Sequence, residues 1–309
     1  MKPTESIKVN TLQMHYFLEV AKAGSFTSAA KQLYTTQSAL SKTILSLERA
    51  LGMTLFVRSH KKLSLTEAGR HLYEKWEALL TDMDQSIEEC RILQNGYTSL
   101  LSIGILDSQN PERFAMPYIR EFIAANPDIH INMLCYPVQE IRSLILSGHL
   151  DVAYTLLYDL EQLESDELNQ RIISVCPHNL AMLAVNPLSD KEMLEIEDLK
   201  DCDIISISPL YTPSYNGMID DLCASRGFKP HYVRYTNNAL SLLYNLINER
   251  DVFICDRNYK GYAMPSFESV QFRPISGTKS GVALIWSKAN KKQELLRFLD
   301  GLEHTDHPA

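Results

Sequence analysis

The stretch from Thr35 to Leu51, TTQSALSKTILSLERAL, fixes one helical register and leaves one polar face free. Its apolar side chains recur at spacings of four, three and four residues, at Leu40, Ile44, Leu47 and Leu51. This is the stripe of an amphipathic helix, for which Thr36 is a suitable N-cap and Gly52 a natural end. The opposite face presents Gln37, Ser38, Ser41, Lys42 and Arg49.

Two shorter segments before this helix also have helical periodicity. TLQMHYFLEVAKA ends at Gly24, and SFTSAAKQL begins with Ser25 as a good N-cap. Two short helices joined by a tight turn, the second polar at its N-terminal end, predict a helix-turn-helix. In that geometry the second helix enters the major groove of DNA, where Gln37 can pair with adenine and Lys42 can reach guanine or phosphate.

A small β-hairpin is predicted after these helices. Two short apolar alternations, at 55–57 and 63–65, flank the sequence RSHKK. The tip of such a hairpin would carry Arg58, Lys61 and Lys62 close to backbone phosphates.

The net charge of −8 hides an asymmetry along the chain. Residues 1–66 contain nine lysine and arginine residues against three glutamates, a net charge of +6, which leaves −14 for residues 67–309. A basic N-terminal module on an acidic body is typical of nucleic-acid binding, with chance clustering of surface lysines as the alternative.

The order and spacing of several fragments identify a resemblance. GSFTSAA, TQSALS, LE followed by LG, LFVR and LTEAG are similar to the winged helix-turn-helix of LysR-type transcriptional regulators, although that family commonly has proline where Ser38 stands. The resemblance implies a DNA-binding set comprising Ser25, Thr27, Thr36, Gln37, Ser38, Ser41, Lys42, Arg58, Lys61 and Lys62. Ser25 and Thr36 have the alternative role of helix caps, and Lys61 and Lys62 that of solvated turn residues.

A long proline-free helix is predicted next, with Thr66 as its N-cap. Its apolar positions alternate at spacings of four and three residues, typical of a two-stranded coil, and include Leu72, Trp76, Leu79 and Met83. Packing against the chain's own C-terminal domain is one interpretation. The LysR resemblance implies antiparallel dimerisation instead, and a symmetric dimer would present two recognition helices to an inverted-repeat site.

Beyond a hinge at NGYTS, strands alternate with helices, which predicts an α/β domain with a parallel sheet. The fragments LSIGI, LILSGHLDVA and GVALIW resemble the LysR effector region, a two-lobed α/β domain like that of periplasmic binding proteins. The expected organisation is a winged helix-turn-helix over 1–66, a linker helix over 67–95 and an effector domain over 96–309. Lobe I is expected at 98–159 and 264–303, and lobe II at 160–263.

Ligands of such sheets bind at the carboxyl ends of strands. The predicted effector-binding positions are Asp107, Ser108, Gln109, Tyr136, Val138, Gln139, Ser206, Ser208, Tyr235, Thr236 and Asn237. Each could instead be a helix cap or a turn residue. Lysine and arginine are scarce at these strand ends while tyrosine is frequent, which favours a ligand with an aromatic or neutral portion over a polyanion.

Several classes of protein are excluded by what the sequence lacks. It has no Gly-x-Ser-x-Gly, phosphate-loop or Gly-x-Gly-x-x-Gly motif, no metal-site spacing among its nine histidines and no Cys-x-x-Cys pair. Neither an enzyme nor a cofactor or metal is therefore expected. His178 is interpreted as an ordinary polar position, and Cys202 and Cys223 as inert. With no apolar run of about 20 residues and no apolar leader, a cytoplasmic location without a membrane span is expected.

Together these features predict a sequence-specific DNA-binding transcriptional regulator controlled by a small molecule bound between two lobes. Its expected partners are double-stranded DNA, a small-molecule effector, RNA polymerase and a second copy of itself, in a dimer or a dimer of dimers. The alternatives are a ligand-independent architectural DNA-binding protein and an α/β enzyme with an accessory DNA-binding module.

Overall fold

The computed structural model describes residues 9–58, 63–160, 166–263 and 269–302, and the chain separates into two compact units at Arg91 and Ile92. The N-terminal unit contains three short helices, a two-stranded hairpin and a long helix. They are α1 (Thr11–Ala23), α2 (Phe26–Gln32), α3 (Gln37–Leu51), β1 (Phe56–Arg58), β2 (Leu63–Leu65) and α4 (Glu67–Gln94). This is the winged helix-turn-helix and linker helix that the sequence predicts.

Local signals fix the ends of these helices. The Thr36 hydroxyl accepts a hydrogen bond from the backbone N–H of Ala39 at 3.2 Å and so begins α3. Gly52 ends it in the left-handed conformation, with φ of 67°. Thr66 accepts from the N–H of Gly69 at 2.9 Å, which confirms it as a cap of α4.

The core of the N-terminal unit lies where the first three helices meet the hairpin. Its fully covered side chains are Phe17, Val20, Ala29, Ala30, Leu40, Ile44, Leu47, Leu55 and Phe56. The small residues Ala29 and Ala30 let α2 approach its neighbours closely. This packing turns the opposite face of α3 outward.

The C-terminal unit contains two five-stranded sheets. Lobe I has the strand order β4-β3-β5-β12-β6, and three helices of the described ranges belong to it. Its elements are β3 (Ser99–Leu106), α5 (Met116–Ala125), β4 (Ile129–Tyr136), α6 (Val138–Leu146), β5 (Val152–Leu156), β6 (Leu168–Cys176), β12 (Ser280–Ser287) and α9 (Gln293–Gly301). A single 3-10 turn, Leu157–Asp159, follows β5.

Lobe II has the strand order β11-β7-β10-β8-β9. Its elements are β7 (Asn179–Leu183), β8 (Asp203–Ile207), α7 (Pro213–Ala224), β9 (Tyr232–Thr236), α8 (Leu240–Tyr244), β10 (Asp251–Cys255) and β11 (Val270–Pro274). Each lobe has its own apolar core, one built around β3 and β12 and the other around β8 and β10.

The prediction of a parallel sheet holds for part of each lobe, where β3 pairs parallel with β4 and β5, and β8 pairs parallel with β9 and β10. In lobe I, β12 runs antiparallel to both β5 and β6, and in lobe II β7 runs antiparallel to both β10 and β11. Two of the connections in lobe II contain little α-helix: the segment before β10 holds only the short α8, and Ile196–Asp201, before β8, is a 3-10 segment.

The lobes also divide the chain later than predicted. The sequence placed the two crossings near 160 and 264, but β6 pairs with β12 in lobe I and β11 pairs with β7 in lobe II. The chain therefore crosses between the lobes at 177–178 and again at 276–279. Both predicted crossings are misplaced because the sequence prediction missed one edge strand in each lobe, β6 in lobe I and β11 in lobe II.

No helix in the described parts of the chain combines the length and the apolar character required to cross a membrane.

Candidate functional site

The N-terminal end of α3 collects the polar side chains that the sequence singled out. Gln37, Ser38 and Lys42 are exposed and Ser41 is half-buried. No acidic residue lies in the first turn, so the partial positive charge of the helix N-terminus is not opposed there. The surface therefore offers hydrogen-bond donors and acceptors together with positive charge.

Two of the other residues in the predicted DNA-binding set, Ser25 and Thr36, have a structural role as helix caps. Ser25 caps α2 by accepting from the N–H of Ser28 at 3.4 Å, while Thr27 is exposed. The Thr36 hydroxyl, besides capping α3, lies 3.2 Å from the hydroxyl of Ser38. Ser25 and Thr36 thus hold the two helices in place, whatever else they contact.

The turn between α2 and α3 contains a residue that the sequence did not single out. Tyr34 has φ of 51° and a side chain that is 99% exposed. A left-handed conformation is unfavourable for a bulky residue, and such strain concentrates at functional sites. The only sequence signal was an aromatic residue in a polar turn.

The hairpin is present, but its tip lies outside the described residues. Arg58 is the last residue of β1, with its backbone opposite Leu63. Lys61 and Lys62 fall within 59–62, outside the described ranges. Their predicted contact with phosphates therefore stays a prediction.

The predicted dimerisation stripe on α4 divides into two parts. Leu72 and Trp76 pack against the core of their own N-terminal unit, and the Trp76 ring lies edge-on to Phe17 at 5.6 Å between centroids. Leu79 and Met83 are exposed, Leu79 by 53%. The apolar surface left for another molecule is therefore shorter than the predicted stripe.

In the C-terminal unit, five of the eleven predicted effector positions line one cleft between the lobes. They are Asp107, Ser108, Val138, Gln139 and Asn237. The remaining wall includes Tyr158, Asp159 and Thr212, and among the described residues that line it there is no lysine or arginine. The cavity volume is about 60 Å³, far below the ~300 Å³ of a typical ligand pocket.

The other six predicted positions do not line this cleft. Gln109 lines a smaller cavity of about 20 Å³ behind it. Ser206 and Thr236 are buried, and their hydroxyls donate to Asn216 Oδ1 at 2.8 Å and to the carbonyl oxygen of Asn238 at 3.0 Å. Tyr136, Ser208 and Tyr235 lie at strand ends outside the lining, and Tyr235 packs against Tyr232 instead.

The lobes are held together by loop contacts at this cleft. The N–H of Asn110 donates to the carbonyl oxygen of Asn258 at 2.8 Å, and the N–H of Lys260 donates to that of Ser108 at 2.8 Å. The Gln109 amide donates to the Asp256 carboxylate at 3.1 Å. Burial raises the pKa of Asp256 to about 6. These contacts hold the loops of the two lobes against each other.

Asp159 is a buried carboxyl group at the cleft that the sequence analysis missed. It accepts a hydrogen bond from the hydroxyl of Ser214 at 2.5 Å, so it joins the end of lobe I to the start of α7. Burial raises its pKa to about 7. Its position after a strand, in LLYDL, was the available signal.

The raised pKa of Asp159 should make the free energy of unfolding of the C-terminal unit decrease as the pH rises. Its folded pKa of about 7 exceeds its ordinary value of 3.8, so between these values the folded state binds more protons than the unfolded state. The contribution of the neutral carboxyl is complete below the ordinary value and is lost as the pH passes through about 7. Urea midpoints measured across this range should show a flatter pH dependence for Asp159→Asn.

The exposed Asp190 provides the control, because Asp190→Asn should leave the pH dependence as it is in the wild type. An unchanged dependence in Asp159→Asn would show that this carboxyl ionises normally.

Cys202 and Cys223, the two cysteines that the sequence singled out, are buried. Burial raises the pKa of Cys202 to about 12 and that of Cys223 to about 11, which disfavours the reactive thiolate. Among the described residues, histidine, cysteine and carboxylate side chains form no cluster able to hold a metal ion.

Comparison with known proteins covers both units. Residues 12–70 match the bacterial regulatory helix-turn-helix protein family, lysR family, and residues 94–300 match the LysR substrate binding domain. The HTH-type transcriptional regulator AlsR of Bacillus subtilis (strain 168) is 30% identical over 221 residues, 72% of each chain. The Hca operon transcriptional activator HcaR of Escherichia coli (strain K12) is 27% identical over 300 residues, 93% of this chain and 94% of HcaR.

Solved structures agree at the level of the fold. The LysR family regulator CbnR covers 96% of this chain and 98% of its own with a TM-score of 0.71 at 20% identity. Full-length CbnR in complex with its target DNA gives a TM-score of 0.70 at 21% identity, over 96% of this chain and 99% of that one. With both of its units matched, the chain belongs to the LysR family of DNA-binding transcriptional regulators, which carry an effector-binding domain and are not enzymes.

Proposed function

We propose that this protein recognises its promoter through the N-terminal end of α3. The supporting observation is that Gln37, Ser38, Ser41 and Lys42 lie together on the outward face of a helix whose other face is fully buried. A glutamine amide can pair bidentately with adenine, a serine hydroxyl can bond to several base edges, and a lysine can reach guanine or phosphate. Ser25, Thr27, Thr36 and Arg58 would position the protein on the backbone.

Replacing Gln37 with alanine should weaken specific DNA binding by about 1–3 kcal/mol, the contribution of one bidentate base contact. Non-specific binding should change little, because the side chain would read a base rather than a phosphate. The measurement is fluorescence anisotropy on the DNA upstream of the protein's own gene and on a scrambled duplex, at fixed salt.

Gln94→Ala, at an exposed glutamine near the end of α4, is the matched control. An equal loss on both duplexes would place Gln37 among the phosphate-contacting residues, and no specific complex for the folded wild type at low salt would reject promoter binding itself.

A dimer would place two α3 helices on an inverted-repeat site. The exposed apolar side chains of α4, Leu79, Met83 and Ile87, support association of two such helices. Two copies related by a two-fold axis form a closed assembly, so the dimer would form first. A dimer of dimers would require a second contact elsewhere on the chain. Such an assembly on promoter DNA in the cytoplasm would act on RNA polymerase.

The effector would bind in the cleft between the lobes. Its walls supply the carboxyl groups of Asp107 and Asp159, the phenol of Tyr158 and the amides of Gln139 and Asn237. Burial raises the pKa of Asp107 as well as that of Asp159, so the cleft disfavours added negative charge. These walls suit a neutral or aromatic molecule with hydrogen-bonding groups.

Binding would require the lobes to open, since a volume of about 60 Å³ holds little more than water. A ligand that binds the open arrangement more tightly shifts the population of lobe arrangements towards it. The contacts at 108–110 and 256–260 would then break, and the dimer geometry on DNA would change.

The same small volume favours a second candidate function, a regulator that binds DNA without a ligand. A thermal-shift screen of diverse metabolites against the full chain separates the two. A stabilising compound whose effect disappears in Asn237→Ala supports the effector-controlled regulator, and the absence of any such compound favours the ligand-independent one.

A further inference from the structure

A second and larger cavity lies beside α7, next to the cleft. We call it the α7 cavity. Its volume is about 610 Å³, and it opens between α7 and the two segments that cross between the lobes. Within the described part of the chain, Tyr158 is the one residue that lines both it and the cleft. Ser214, which lines the α7 cavity, bonds to Asp159, which lines the cleft, so these residues form the partition between the two spaces.

His178 lies on the wall of the α7 cavity with both ring nitrogens unpaired. It is only 2% exposed, and neither nitrogen has a hydrogen-bond partner among the described residues. Its backbone is fixed: the N–H donates to Thr278 Oγ1 at 2.9 Å, and the carbonyl oxygen accepts from the N–H of Ile275 at 2.8 Å. Burial lowers the pKa of His178 to about 4, so the ring is neutral and offers one donor and one acceptor.

An unpaired imidazole in this position is unfavourable for the free protein. A hydroxyl group from a ligand would pair with one of the two ring nitrogens in either role, because a hydroxyl both donates and accepts. The sequence interpretation of His178 as an ordinary polar position was therefore wrong, since the side chain is buried at a crossing between lobes.

The mouth of the α7 cavity carries opposite charges that do not neutralise each other. Asp221 and Lys279 are both exposed, and neither forms an ion pair with another described residue. The third charged lining residue, Arg226, is paired with Glu197 at 2.9 Å. The charge at the mouth is therefore balanced overall but separated, which suits a molecule carrying both an anionic and a cationic group.

The remaining wall includes the apolar side chains of Leu157, Ile196, Met218 and Leu222. Burial of apolar ligand surface against these side chains favours binding, and apolar contacts do not require a particular orientation of the ligand. The volume lies within the range of ~300–1,000 Å³ that holds small organic ligands.

We propose that the α7 cavity is a second ligand site, which takes an α-amino acid with a phenolic side chain. The α-carboxylate pairs with Lys279 and the α-ammonium with Asp221. The ring lies against the apolar side chains of the wall, and its hydroxyl bonds to His178. The proposal does not depend on the cleft, because the described residues that line the two spaces differ in every case except Tyr158.

L-Tyrosine is the probe, and its binding is followed by NMR of the full chain with ¹³C and ¹⁵N in its histidines. The titration extends to about 2 mM tyrosine, a concentration range suited to weak binding. His178→Phe assigns the His178 imidazole signals, and His178→Gln replaces it for this purpose if the phenylalanine variant does not fold. The expected result is a saturable shift of these signals. L-Phenylalanine, which lacks the hydroxyl, should bind about tenfold more weakly because it leaves the imidazole unpaired.

Asp221→Asn and Lys279→Met should each weaken tyrosine binding about twofold to fivefold, as expected for exposed ion pairs. Asp190→Asn and Lys291→Met, at exposed positions outside the cavity, are the matched controls and should have no effect. Asp221→Asn should leave the affinity for 3-(4-hydroxyphenyl)propanoate unchanged, because this compound has no ammonium group. Lys279→Met should likewise leave the affinity for tyramine unchanged, because tyramine has no carboxylate.

Either of two results overturns the proposal: no shift of the His178 signals at about 2 mM tyrosine, or equal affinities in the charge variants and their controls. A third does so by relocating the ligand. If Asn237→Ala, in the cleft, weakens tyrosine binding while Asp221→Asn does not, the amino acid occupies the cleft and not the α7 cavity.

Discussion

Replacing Asp151 with alanine should lower the free energy of unfolding of the C-terminal unit by about 2–4 kcal/mol, the cost of leaving a buried backbone N–H without its acceptor and of losing two further hydrogen bonds. The carboxylate is 1% exposed and joins three parts of lobe I. It accepts from the N–H of Ser102 at 2.9 Å, from the amide of Asn290 at 2.9 Å and from the ammonium of Lys292 at 3.0 Å.

Without the carboxylate, the N–H of buried Ser102 loses an acceptor and Lys292 loses its counter-charge. Urea unfolding followed by Trp286 fluorescence in a Trp76→Phe background reports this unit, because Trp286 lies in β12 of lobe I. Asp151→Asn should lose less than the alanine variant, since it keeps one acceptor oxygen. Asp190→Ala, at an exposed position, should be nearly neutral. A loss below about 1 kcal/mol for Asp151→Ala would mean that the carboxylate does not hold these parts together.

The second large effect is expected at Glu48, in the N-terminal unit. One of its carboxylate oxygens accepts from the N–H groups of Leu55 at 2.7 Å and Phe56 at 3.2 Å. Both residues are buried at the start of the hairpin, so Glu48→Ala leaves two backbone donors without that acceptor. We expect a loss of about 2–4 kcal/mol, summed from the cost of two unsatisfied donors.

Trp76 reports this unit, since its ring packs on Phe17, and Trp286→Phe removes the other tryptophan signal. Promoter affinity should fall in parallel with the folded fraction of the unit, because the base-reading side chains themselves are intact. Glu74→Ala, at an exposed glutamate of α4, is the control. If Glu48→Ala melted like the control yet failed to bind DNA, Glu48 would act in recognition rather than in folding.

The N-terminal unit was predictable because its signals are local. Thr36, Gly52 and Thr66 each end or begin an element through a hydrogen bond or a backbone conformation set within a few residues. The outward face of α3 then followed from the spacing of its leucines and isoleucine. The division of the α4 stripe was not predictable in this way, because the contact of Trp76 with Phe17 joins residues distant in sequence.

The two missed strands are edge strands whose composition hides them. β6 begins with Leu-Asn-Gln-Arg, and β11 ends at Pro274, both poor indicators of a strand. An edge strand needs only one hydrogen-bonded neighbour, so it tolerates such residues. Missing both strands moved the predicted lobe boundaries.

The cleft was predictable to the level of strand ends but not of side chains. Asp107, Val138 and Asn237 follow strands and line it, yet Ser206 also sits near a strand end and turns into the core to bond with Asn216. Which way a strand-end side chain points depends on the register between strands, and that is set by distant parts of the chain.

The order of strands in lobe I also bears on how the chain is made. β12 lies between β5 and β6, although lobe II, residues 179–275, is translated between β6 and β12. During synthesis on the ribosome, β6 therefore has no partner strand until the last tenth of the chain has emerged. Lobe II has all five of its strands by residue 274, so it can complete its sheet before the lobe that precedes it in sequence. A nascent chain stopped before 280 would hold a finished second lobe and an exposed, unpaired edge in the first, the kind of surface on which chaperones act.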